Sequence, residues 1–220
     1  MVFPIEFCFG SQTRVFNSDV SSFLGVPVSE RTRTPVYYVR HRVQYEGVIY
    51  NALVLALFYV ENPGFMTCGF GYHPADVEHL VILSDDAGVN RHVYFGAHGA
   101  GEGTWKRWDE CETDDGRLVA YMSPYSNAMY PAKGRYMRVG GIANDYCDGK
   151  GRVWIPEETE FEDATAQIWS DSHYQVKRGI NTPKNISPPV GRSITSWERF
   201  LLFIPAIKKK VAGQKRLVWI

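Results

Sequence analysis

The chain has no marked excess of charge of either sign, with 24 basic against 24 acidic residues among 220. A dedicated nucleic-acid binder usually carries a basic excess, so that class is disfavoured, and no specific nucleic-acid partner is expected. Cysteine is scarce: Cys8, Cys68, Cys111 and Cys147 lie far apart. No pair has CxxC spacing, which excludes a zinc ribbon and a thioredoxin-type motif. Long apolar runs are missing too. The longest, Val48 to Val60, is interrupted by Asn51 and is too short to span a bilayer. The opening MVFPIEFCFG lacks a basic n-region and carries Glu6 inside its apolar stretch, so it reads poorly as a signal peptide. These features together predict an intracellular, non-secreted protein with free thiols. No internal repeat, heptad or low-complexity tract is present.

What is present is a β-rich pattern. Aromatic residues make up 14% of the chain and charged residues 22%, enough apolar material for one sizeable core and too little charge for disorder. Val36 to Tyr45 is rich in β-branched and aromatic residues. Glu46-Gly47 follows, and then a second run from Val48 to Val60, which together predict a hairpin whose second strand is buried on both faces. Glu78 to Leu83, the run from Arg91 through His92 to Ala97, Leu118 to Met122 and Arg135 to Ile142 are further strand candidates, separated by short turn-rich segments. The expected fold class is all-β: one domain over residues 1–220, a β-sandwich or distorted barrel, mostly antiparallel, with a basic C-terminal tail at about 206–220. A few short helices are expected, at Asp163 to Ser170 and Thr195 to Leu202.

Charges cluster despite the zero balance. Arg31, Arg33, Arg40, His41 and Arg42 form one basic group, and Lys208, Lys209, Lys210, Lys215 and Arg216 another. Acids gather at Asp109 to Asp115 and Glu157 to Asp163. Such clusters are solvated surface or complementary patches that meet in an assembly. GAHGAGEG lacks the Lys-Ser/Thr ending of a P-loop, so a tight turn is expected there. No GxSxG elbow occurs. Cys147, in the polar stretch NDYCDGKG, reads as an exposed thiol with no histidine partner. Trp105 and Trp108 are expected to pack beneath the acidic loop.

The stretch most suggestive of chemistry is Gly71-Tyr72-His73-Pro74-Ala75-Asp76-Val77-Glu78-His79, leading into the apolar strand LVIL. Asp76 and Glu78, two apart on a strand, project to one face, and His73 is expected in a Pro-containing bend that folds back over them. Two carboxylates and an imidazole can bind a divalent cation, carry acid–base chemistry or simply form a satisfied hydrogen-bond network.

The order of three segments resembles the VPS62-like family, in which an HxGDWE-type motif opens a strand. A VYFSxHxGGE-like strand and turn follows there, and then a GSHAxYP-like element. Here they stand as HPADVEH (His73 to His79), VYFGAHGAGEG (Val93 to Gly103) and YSNAMYPAKG (Tyr125 to Gly134). The likeness covers roughly Leu53 to Pro205 and is most specific in these three motifs. A more distant similarity is to the necrosis-inducing toxin family, whose related segment helps bind a metal at a membrane-acting surface. The resemblance implies a β-sandwich and a metal site on His73, Asp76, Glu78 and His98, with Asn127 standing where the family has a histidine. Asn127 offers an oxygen suited to a hard cation such as Ca²⁺ or Mg²⁺ rather than to a transition metal.

A Lys-rich tail ending Leu-Val-Trp-Ile needs compensating contacts to be ordered. Lys208, Lys209, Lys210, Trp219 and Ile220 are therefore expected to bind a partner surface, with Trp219 and Ile220 buried. The reading that follows is a non-enzymatic structural or interaction protein, a component of a larger assembly of protein chains, one concrete version being a minor capsid protein of a virion. The rivals are a metal-dependent hydrolase and a protein acting at a membrane surface, both using the His73/Asp76/Glu78/His98 cluster.

Overall fold

The computed structural model describes residues 5–9, 36–62, 73–97, 103–124, 126–137, 144–163 and 217–219. They form an all-β structure of packed, mostly antiparallel sheets that does not close into a barrel. Among the described residues no α-helix occurs, and no helix is long and apolar enough to cross a membrane. The expected helix at Thr195 to Leu202 and all but the first residue of that at Asp163 to Ser170 lie outside the described residues. Asp163 itself ends a strand.

The larger sheet has the order β13-β2-β3-β4-β5-β6, with β14 also paired to β2. Its elements are β2 (Val36–Tyr45), β3 (Val48–Asn62), β4 (His73–Ser84), β5 (Asn90–Phe95), β6 (Thr104–Arg107), β13 (Phe161–Asp163) and β14 (Leu217–Trp219). The runs Val48 to Val60 and Glu78 to Leu83 supply its centre, as their sequence predicts, and the run expected over His92 to Ala97 forms β5 as far as Phe95. Glu46 and Gly47 both take positive φ, 51° and 84°. That left-handed pair matches the right-handed twist of the flanking strands and closes the β2–β3 hairpin. At the next turn Asp85 Oδ1 accepts the backbone N–H of Ala87 at 3.0 Å and of Val89 at 2.9 Å.

The smaller sheet runs β12-β1-β8-β7, with β9 paired to β8. It contains β1 (Ile5–Cys8), β7 (Thr113–Asp114), β8 (Arg117–Met122), β9 (Met129–Tyr130) and β12 (Val153–Trp154). A separate ribbon pairs β10 (Gly134–Tyr136) with β11 (Asp145–Cys147). Of the strand expected over Arg135 to Ile142, Arg135 and Tyr136 lie in β10, Met137 lies beyond its end, and 138–142 lie outside the described residues.

Strand alternation sorts the side chains into layers. Leu55, Leu57, Leu80, Ile82, Val93 and Phe95 face Ile5, Phe7, Leu118, Ala120 and Met122, making the main core between the two sheets. The other face of the larger sheet is buried as well, carrying Val54, Val81, Leu83 and Tyr94. There Tyr45 of β2 stacks on Trp105 of β6 with ring centroids 4.5 Å apart. In a flat sheet those strands would lie about 19 Å apart, so the sheet curls strongly towards that face. Glu6, Cys8 and Tyr121 leave the main core and point to the opposite face of the smaller sheet, where Cys8 and Tyr121 join Cys147 and Tyr136 in a second cluster.

Candidate functional site

The three motif segments meet through backbone hydrogen bonds. Gly96 donates its N–H to the His79 carbonyl at 2.9 Å, and Met129 donates to the Gly96 carbonyl at 3.0 Å. Gly96 is thereby the junction of HPADVEH, VYFGAH and YSNAMYP. A side chain there would strike the His79 carbonyl oxygen, with the ring Cε1 and Nδ1 of His79 at 2.8 Å. Only glycine lets the strands approach so closely. Asn127 closes the adjoining turn, with φ 58° and its N–H donated to the Ser123 carbonyl at 2.9 Å. Asparagine tolerates this left-handed backbone better than most residues, which is a structural reason for its presence.

Of the five residues expected to share an ion, Glu78 and Asn127 are described in full, and both are buried. His73 and Asp76 are placed by backbone only, and His98 lies outside the described residues. The expected bend at His73 is corrected: His73 and Pro74 continue β4, paired with Asn62 and Glu61 of β3. An unbroken antiparallel register with β3 keeps this stretch extended. About 17 Å of strand therefore separates the Cα atoms of His73 and Glu78.

Three residues not singled out by sequence form the best-defined polar network. Asp145 of β11 is buried and accepts hydrogen bonds from Tyr130 Oη at 2.5 Å and Ser123 Oγ at 3.2 Å. Burial above all, then the Asp145 charge and its hydrogen bond, pushes the Tyr130 phenol well up, with smaller contributions from Cys147 and Glu78. Burial and the Glu78 charge push Tyr94 up to about 12. These phenols stay protonated at neutral pH, so Tyr130 acts as a donor rather than as a base. The ring of Tyr130 also stacks on Tyr136 with centroids 3.8 Å apart. Asp145 lies in the polar stretch NDYCDG; its alternation with Cys147 was the available signal, since both turn inward on a two-stranded ribbon.

A second group lies on the outward face of the smaller sheet. Glu6 accepts the Cys8 thiol at 3.6 Å, Tyr121 donates to Glu112 at 2.7 Å, and the Lys133 ammonium sits 5.6 Å from the Tyr121 ring centroid. Burial, followed by the Glu6 charge, raises Cys8 to about 11. The reading of Cys147 as an exposed thiol is corrected: it is 1% exposed, because the β10–β11 ribbon folds it onto the smaller sheet. Desolvation pushes its thiol up. Among the described residues Cys8, Cys111 and Cys147 are free. Trp108 packs partly buried against the main core.

Among the described residues no group of three His, Cys, Asp or Glu side chains could hold a metal ion. In the tail, Lys208, Lys209, Lys210 and Ile220 lie outside the described residues. The backbone of Leu217–Trp219 pairs antiparallel with β2, Trp219 opposite Val43.

No family model matches the chain, and no curated protein matches it. Two solved structures are similar to it, one described as "Toxin fold for microbial attack and plant defense" and the other as "Toxin fold as basis for microbial attack and plant defense". Both superpose with a TM-score of 0.41, at 10% and 11% sequence identity, covering 80% of this chain and 76% and 77% of theirs. The likeness is too distant to assign a fold family or an activity.

Proposed function

We propose that this chain is a non-enzymatic structural or interaction protein, a component of a larger assembly of protein chains, built on a VPS62-like domain. The observation that supports it is the use made of the motif segments. Their glycine, asparagine and tyrosine residues stitch β4, β5 and β9 together at Gly96 and hold a buried acid through Tyr130. Residues spent on fixing the sandwich serve a rigid platform, and a platform is what an assembly component needs. The C-terminal strand Leu217–Trp219 adds to the sheet at β2, the same backbone chemistry by which chains join one another's sheets.

The test is purification of the native protein, with mass and composition measured by native mass spectrometry and metal content by elemental analysis. The expected result is stoichiometric company with other protein chains and far less than one divalent ion per chain. A monomer carrying one tightly held divalent ion and hydrolysing ester or phosphoester substrates would overturn the reading in favour of a metal-dependent enzyme. Release of contents from lipid vesicles by the purified monomer would overturn it in favour of a membrane-acting protein.

A further inference from the structure

The described arginines and lysines divide into two kinds. Arg42, Arg91, Arg107 and Arg117 are each held in ion pairs, with Asp86, with Asp85, with Asp109 and Glu110, and with Asp114 and Asp115. Among the described residues Lys106, Lys133, Arg135, Lys150 and Arg152 have no ion pair, while Arg40 sits over the Tyr38 ring. Lys106 lies on β6; the other four, Lys133, Arg135, Lys150 and Arg152, belong to one corner of the molecule. Arg135 lies directly opposite Tyr146 in the β10–β11 ribbon. The stem of Lys133 runs against Gly149, where an added Cβ would come within 2.7 Å of Lys133 Cε. Gly151 and Arg152 are tied to Phe9 by backbone hydrogen bonds of 2.9 and 3.0 Å. Within 133–137 and 146–152 the lone acid is Asp148, and its Oδ1 already accepts the Lys150 N–H at 3.0 Å.

Apolar and aromatic side chains are exposed at the same corner. Met137 is 82% exposed, Tyr146 55%, and Val153 of the neighbouring edge strand 52%. Alternation places Arg135, Met137 and Tyr146 on the outward side of the ribbon, while Tyr136, Asp145 and Cys147 turn inward. Exposed Tyr, Met and Arg together are the residue types enriched in the centres of protein interfaces.

We propose that this face, built on Arg135, Tyr146, Met137, Lys150 and Arg152, docks an acidic segment of a partner protein, one in which Asp or Glu residues flank an aromatic or aliphatic side chain. It rests on the reading of the chain as an assembly component and names the partner chemistry. The four cations leave this corner electropositive and so complement an anionic partner, and the exposed Met137 and Val153 favour a protein over a nucleic acid, which would be met by cations and stacking rings alone.

The experiment uses the full chain and a fluorescent peptide of sequence Glu-Glu-Asp-Leu-Phe-Glu-Asp-Glu, read by anisotropy at several salt concentrations. The expected result is saturable binding that weakens as salt rises. The triple variant R135E/K150E/R152E should lose at least tenfold in affinity with an unchanged melting temperature. Y146A should lose a comparable factor while keeping the salt slope, since it removes contact and not charge. A single-stranded oligonucleotide of equal charge and vesicles of anionic phospholipid should each bind at least tenfold more weakly. Equal or tighter binding of either would overturn the proposal, and so would an unchanged affinity in the triple variant. Because binding is measured on the isolated chain, its failure is distinct from failure of the assembly reading, which the composition of the native protein decides.

Discussion

Replacing Gly96 by alanine tests whether the junction of the three motifs holds the sandwich together. The new Cβ would meet the His79 carbonyl oxygen and, at 2.8 Å, two atoms of the His79 ring. The ring can rotate away; the carbonyl cannot, because it accepts the Gly96 N–H at 2.9 Å. Relief therefore requires β4 and β5 to part locally, which also pulls on the bond from Met129 to the Gly96 carbonyl. Overpacking of this kind costs about 1–3 kcal/mol, and weakening these two hydrogen bonds adds about 1 kcal/mol. A loss of about 3 kcal/mol in a domain of this size lowers Tm by roughly 6–12 °C. Gly88→Ala is the comparison: φ is +79° there, but nothing lies within 4 Å of the added methyl. Its cost is backbone strain alone, about 1–2 kcal/mol. Both variants are melted by circular dichroism in the β-sheet band and unfolded in urea. If Gly96→Ala melts within about 2 °C of the unaltered protein, a spread set by the same scaling, crowding at the junction contributes nothing and the reasoning is wrong.

Tyr130→Phe removes the donor to buried Asp145 and should cost about 2 kcal/mol in urea unfolding; a neutral result would show that Asp145 is satisfied without it. His92 sits against Tyr45 and Tyr50, and desolvation holds its pKa below the ordinary 6.5. The folded state thus favours the neutral ring, so stability is full above pH 6.5 and falls as the pH drops from there towards the folded pKa. His92→Gln should flatten that part of the pH–stability curve, and parallel curves for the two proteins would refute it. Cys8 and Cys111, both raised to about 11, and the still higher Cys147 should react with iodoacetamide at pH 8 far more slowly in the native than in the unfolded protein. Mass mapping checks this, and rapid native labelling of Cys147 would contradict its burial.

The sequence by itself determined the β architecture, because period-two alternation and turn chemistry are local. Val36 to Tyr45, Glu46-Gly47 and Val48 to Val60 encode their hairpin without reference to anything distant, and continuous apolar character showed that β3 is covered on both sides. Where strands end, and what they bring together, was decided by tertiary structure. His73 and Pro74 look like a bend because proline is usually a breaker, yet β3 is long enough to keep them in register with Asn62 and Glu61. Cys147 looks exposed because its neighbours are polar, yet the β10–β11 ribbon turns it and Asp145 inward. The link from Tyr130 to Asp145 joins residues fifteen apart through a fold no local pattern encodes. The unpaired corner at Arg135 and Lys150 depends likewise on which acids the fold gives to which arginines, and pairings across distant strands are written only in three dimensions.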